Sequence, residues 1–127
     1  QITPTLIHRN MVASNKHQNL VAAIGVGANY TVNKWLSFST EYYQLVSQMQ
    51  RAAYSIPSNF SEGCGRASDK DFNRFVTICL GSAHELEYFI LLAKDLKYID
   101  LSAFEVLTRE INEIKRKLYS LSKKLIT

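Results

Sequence analysis

The stretch RAAYSIPSNFSEGCGR, residues 51–66, decides how the chain folds. It starts as a helix. Leu45, Met49, Ala52, Ala53 and Ile56 recur at steps of three and four and give one apolar face. Pro57 then removes a backbone donor and crowds the carbonyl four residues back, so the helix either kinks here or breaks. Ser58, Asn59 and Ser61 are side chains able to satisfy the freed backbone groups. Gly63 and Gly65 permit the positive backbone angles that end a helix. Ser68 follows as an N-cap, with Asp71 three residues on and Asp69 in the first turn, so a second helix begins at once.

Working outward, the second helix is predicted from about 69 to 96. Phe72, Phe75, Val76, Cys79, Leu80, Ala83, Leu86, Ile90 and Ala93 form a wide apolar stripe. Tyr88, Phe89, Leu91 and Leu92 carry apolar surface round to a second side, which implies burial twice: within a bundle and against a neighbour. Gly81 costs about 1 kcal/mol relative to alanine in a helix interior, which suggests close helix approach as its purpose. Lys97 to Asp100 makes a turn, and Ser102 with Glu105 forms a capping box. A third helix then runs from about 102 to 125, with Phe104, Leu107, Ile111, Ile114, Leu118, Leu121 and Leu125 as its seam. The first of these three helices is predicted to start near 40, with Ser39 or Thr40 as cap.

The ordered residues Arg51-Ala-Ala-x-Ser-Ile-Pro-x-Asn-x-x-Glu-Gly63, Gly65-Arg66, Phe72-x-x-Phe75 and Leu80-Gly-Ser-x-x-Glu-Leu-Glu87 closely resemble a bacterial family. These are the four-helix-bundle proteins encoded within intervening sequences of 23S ribosomal RNA genes, often labelled S23 ribosomal proteins. The accessory variability determinant proteins of diversity-generating retroelements look like relatives. The resemblance covers about Tyr42 to the C-terminus. It implies an up-down antiparallel bundle that assembles into a ring, a pentamer, with no enzymatic activity. For the retroelement relatives it implies binding of a reverse transcriptase and nucleic acid.

Residues 1–40 read differently, as a separate segment ahead of a helical-bundle domain at 41–127. Residues 1–18 suggest a loop or frayed end, and His8 and His17 suggest solvated surface rather than metal ligands. From Ile24 to Val32 apolar residues alternate with small or polar ones, Asn33-Lys34 is a turn signal, and Trp35 to Tyr42 resumes β-type composition. This predicts a β-hairpin in place of the family's first helix, similar in style to a strand pair of an outer-membrane β-barrel. A short helix over Leu20–Ile24 is the alternative. A hairpin here would mark a fusion or a truncated copy. It would leave an apolar groove on three helices for this segment or another subunit to fill.

The chain of 127 residues carries a net charge of +4, a mild basic bias compatible with nucleic acid. The first residue is Gln1, so the natural start is expected upstream. No span reads as a transmembrane helix and no leader pattern is present, which gives a cytoplasmic expectation with no membrane partner. Cys64 and Cys79 lack metal spacing, and Cys79 falls on an apolar face. His84 and Glu85 have no nucleophile, metal set or phosphate loop beside them, so no enzyme, cofactor or small-molecule substrate is expected.

The candidate nucleic-acid residues are Arg66, Lys70, Arg74, Lys115, Arg116, Lys117, Lys123 and Lys124. An ordinary solvated helix face is the more common reading of such a charge pattern. With Tyr119 the lone aromatic among them, binding would be backbone-directed and salt-sensitive. The structural motif is Arg51, Pro57, Asn59, Glu62, Gly63, Gly81, Glu85 and Glu87. Arg51 is expected to form a two-pronged pair with one of the glutamates, while Glu62 either joins that pair or caps the turn after Gly63. Two functions follow: an oligomeric, non-catalytic protein binding RNA or a reverse-transcriptase-like nucleoprotein partner, or a purely structural interaction module or relic.

Overall fold

The computed structural model describes the backbone of residues 4–126 and the side chains of residues 28–126. His8 and His17 lie outside those described side chains. Three helices follow one another: α1 (Pro4–Cys64), α2 (Asp69–Asp95) and α3 (Leu101–Ile126). The fold is all-α, with no strand among the described residues. By its internal contacts the chain divides into two units, Gln1–Glu41 and Tyr42–Thr127.

In the first unit the structure corrects the sequence reading. Neither a loop over 4–18 nor a β-hairpin over 24–42 is present; the backbone is helical from Pro4. Proline suits a first helical position, where its missing donor costs nothing. The alternation from Ile24 to Val32 masks a longer period. Ile24, Ala28, Thr31, Trp35, Phe38, Tyr42, Leu45, Met49, Ala52 and Ile56 step by four and three alternately. That 3.5-residue repeat is a helix seam. Gly25 and Gly27 each cost about 1 kcal/mol, but a helix satisfies its own backbone, whereas a lone hairpin needs a sheet partner. Ser39 and Thr40 cap nothing: the Thr40 hydroxyl donates to the Leu36 carbonyl, 2.9 Å away, within the continuous helix.

In the second unit the last part of α1, α2 and α3 pack together. Contacts pair Arg51 with Glu85, Ser55 with Ser82 and Gly63 with Phe72, so α1 and α2 run antiparallel. Glu87 meets Lys115 and Asn73 meets Ser122, so α2 and α3 do too. Val76, Cys79 and Leu118 form one buried cluster, flanked by Ile56, Phe60 and Phe72. Ala83, Ile90 and Ile111 form another, flanked by Met49, Leu86 and Phe104. α2 is long and apolar enough to cross a membrane by composition, contrary to the expectation that no span is. Part of that apolarity fills these clusters, and Ile78, Tyr88 and Leu91 stay exposed.

The helix ends show which local signals mattered. Ser68 caps α2: its Oγ accepts from the Asp71 amide at 3.2 Å, as the sequence suggests. α3 is capped by Asp100 rather than Ser102, with the Ala103 amide donating to Asp100 Oδ1 at 2.7 Å. α2 stops at Lys97, the one non-glycine residue with positive φ among the described residues, at 61°. The Tyr98 amide donates to the Ala93 carbonyl and the Lys97 amide to Lys94, which closes the turn in the Schellman pattern.

Candidate nucleic-acid interface

The motif residues position the frame. Pro57 sits inside α1, and side chains serve the carbonyls around it. The Asn59 amide donates to the Ser55 carbonyl at 2.8 Å, and the Cys79 thiol donates to the Ile56 carbonyl at 3.2 Å. Burial pushes the Cys79 thiol pKa up, so it stays a neutral donor. Ser55 and Ser82 share a hydroxyl contact of 2.8 Å across the seam. Among the described residues no glycine adopts a positive φ, so Gly63 and Gly65 do not end α1 in the way expected. Gly63 serves close packing instead. A Cβ there would lie 2.7 Å from a Phe72 ring carbon and 2.8 Å from the Phe75 Cβ. Gly81 shows the reverse, since a Cβ would meet nothing within 4 Å and no close approach inside the protomer explains it.

Arg51 does reach Glu85, through a single 2.9 Å contact between Nη2 and Oε1 rather than two prongs. Both side chains are exposed, 69% and 40%, which limits the pair to about 0.2–1 kcal/mol. Glu62 neither joins Arg51 nor caps the turn with its side chain; it pairs with Arg66. Glu87 accepts from Lys115 Nζ at 2.7 Å, and His84 Nδ1 lies 3.5 Å away. The Lys115 hydrogen bond, outweighing burial, holds the Glu87 carboxyl below its ordinary range.

The candidate cations separate into groups. Lys115 is spent on Glu87 and only 17% exposed. Arg116, Lys117 and Lys124 line one surface hollow with Ser120 and Leu121. Arg116 also lines an adjoining hollow with Arg109, Asn112 and Glu113. Lys117 pairs with Glu113 at 2.8 Å and lowers that carboxyl's pKa by hydrogen bond and charge. Lys123 Nζ sits 4.8 Å over the Tyr119 ring. Arg109 is the residue that sequence reasoning missed, although its seven-residue spacing from Arg116 places both on one helix face. Arg66 and Arg74 line a separate hollow with Asp71, Phe75 and Ile78, and the Arg66 guanidinium stacks 4.5 Å over Phe75. Lys70 is exposed in the first turn of α2. The 2.7 Å bond from Ser122 to Asn73 holds the start of α2 beside the last turns of α3, so Lys70, Arg74, Lys123 and Lys124 share one end of this unit. Among the described residues no group of His, Cys, Asp and Glu could hold a metal.

The sequence pattern of the 23S rRNA-intervening sequence protein family matches residues 13–120. The chain belongs to that family. The 23S rRNA-intervening sequence match begins at residue 13, inside the segment set apart by the sequence reading, so it takes in the N-terminal part of α1 as well as the helices after it. The chain is also similar to a solved structure from Bacteroides thetaiotaomicron, a protein with unknown function from the S23 ribosomal protein family. The two share 30% identity with a TM-score of 0.61, over 62% of this chain and 73% of the other. No curated protein matches the chain.

Proposed function

We propose that this protein is a non-catalytic, homo-oligomeric helical protein that binds RNA, alone or within a nucleoprotein, through the outer face of α3. The observation that carries this reading is the grouping of Arg109, Arg116, Lys117 and Lys124 along two adjoining hollows. Glu113 is the one carboxylate lining them, and Lys117 pairs with it. Among the described residues Arg109 and Lys124 form no salt bridge, and Arg116 shares the single Glu113 charge with Lys117, so the group keeps a surplus of positive charge for an anionic partner. The family's description names the 23S rRNA intervening sequence, which favours RNA over other polyanions. A cytoplasmic location goes with this reading.

With few aromatics on that face, the contacts would be to phosphates, strongly salt-dependent and weakly sequence-specific. A ring, with a pentamer as the size implied by the resemblance, would multiply a modest patch by the number of subunits. The test is a salt titration of binding to a structured RNA, read by fluorescence anisotropy. Affinity should fall steeply, by about 10-fold or more between 50 and 200 mM salt if several phosphates are neutralised. No binding at low salt would instead favour a purely structural protein–protein module.

A further inference from the structure

We infer that the hollow beside the α1–α2 turn takes one unpaired guanine of an RNA strand, stacked on Arg66 and read by Asp71. This rests on the RNA reading of the proposed function and adds what the α3 face lacks, a means of telling one base from another. Arg66 and Arg74 are candidate cations that the α3 face does not use. They line this hollow, of about 340 Å³, with Asp71, Phe75 and Ile78. That volume is at the lower end of ordinary ligand sites, about 300–1,000 Å³, so it admits one flat ring system and no duplex.

Arg66 offers a stacking plane fixed in advance. Phe75 lies under its guanidinium, 4.5 Å from the central carbon to the ring centroid, and Glu62 holds its Nη2 edge. The side chain is still 43% exposed, so the group stays open to a ligand in the hollow. Splayed-out RNA bases stack on guanidinium planes and aromatic rings, and a plane already held loses little rotamer freedom on binding. Ile78, half exposed, adds an apolar wall.

Asp71 and Arg74 supply the selection. Residues 71, 74, 75 and 78 recur at helical spacing, so all four come from one face of α2. Ser68 Oγ donates to Asp71 Oδ2 at 3.0 Å, which fixes the carboxylate and leaves Oδ1 and a second lone pair of Oδ2 as acceptors. An ionised carboxylate can only accept. Among the four RNA bases guanine alone presents two adjacent donors on its pairing edge, N1–H and the N2 amino group. Adenine, cytosine and uracil each set an acceptor beside their donor, which the carboxylate repels. Arg74 is exposed and forms no salt bridge among the described residues, so its fork suits the phosphate that carries the base.

The full chain is titrated with labelled heptauridylate and with the same strand carrying guanosine or adenosine at its centre, read by anisotropy at low salt. The guanosine strand should bind about tenfold tighter than the other two, as one bidentate base contact allows. Asp71→Asn keeps an oxygen for Ser68 and should bring the guanosine strand to the level of the others. Arg66→Lys keeps the charge but not the plane, and should weaken the guanosine strand about tenfold with the salt slope unchanged. Far-UV circular dichroism checks that each variant is folded. No binding of any strand, equal affinity for all three, or a preference that Asp71→Asn leaves intact overturns the inference. Structured RNA still bound by the full chain then leaves the α3 reading standing. A guanosine preference that survives in Arg116→Gln/Lys124→Gln with no loss of affinity supports this subsite and counts against the α3 face.

Discussion

Gly63 and Gly81 should respond to the same substitution with opposite signs. At Gly63 an added methyl would lie 2.7 Å from the Phe72 ring and 2.8 Å from the Phe75 Cβ. The second of those atoms is fixed to the backbone of α2, so rotating a side chain cannot relieve the clash. Forcing one extra carbon into such a contact costs about 1–3 kcal/mol, and replacing a helical glycine returns at most about 1 kcal/mol. Gly63→Ala should therefore destabilise by about 1–2 kcal/mol, a fall of roughly 3–6 °C in melting temperature. At Gly81 the space is open, so Gly81→Ala should keep the propensity gain and stabilise by about 1 kcal/mol. Thermal and urea unfolding followed by far-UV circular dichroism reads both. A Gly63→Ala variant as stable as the parent would refute the packing argument. A destabilised Gly81→Ala would show that a neighbouring subunit approaches there.

Three further outcomes follow from the geometry. Arg51→Ala should cost no more than about 1 kcal/mol in urea unfolding, because its partner contact is single and exposed; a larger loss would mean the pair is buried in an assembly. Lys97→Gly should stabilise by about 1 kcal/mol in the same assay, since glycine holds the φ of 61° without strain. Glu87 has a lowered folded pKa, so its contribution is present above the ordinary glutamate range and lost as pH falls through the lowered value. The unfolded chain binds the proton first in that window, so acid favours unfolding. Lys115→Met should flatten the acid limb of the stability–pH curve, and an unchanged limb would count against the pair.

Much of the second unit is legible in the sequence because its signals are local. The seam of α3 (apart from Ile114, which is exposed), the Ser68 cap and the burial of Cys79 each follow from spacing within a few residues. The ordered motif from Arg51 to Glu87 is long enough to point to the family by itself. What stays hidden falls into two physical kinds. Gly63 and the Lys115–Glu87 pair depend on which helices meet, and no run of neighbouring letters encodes that distance. The N-terminal part of α1 is hidden by a competing period. Gly25, Gly27 and the alternation from Ile24 to Val32 outweigh a seam visible only when counted from Ile24 through to Ile56. Lys97 carries no signal at all, since the residue usually chosen for its conformation is glycine.

The claim that most depends on measurement is that the outer face of α3 holds phosphates. Anisotropy titrations of structured RNA across a salt series, with the parent chain and Arg116→Gln/Lys124→Gln side by side, address it directly. Two lost phosphate contacts should lower the slope of log affinity against log salt by about 2 per face, with the helical signal unchanged. An identical slope in both proteins would contradict it.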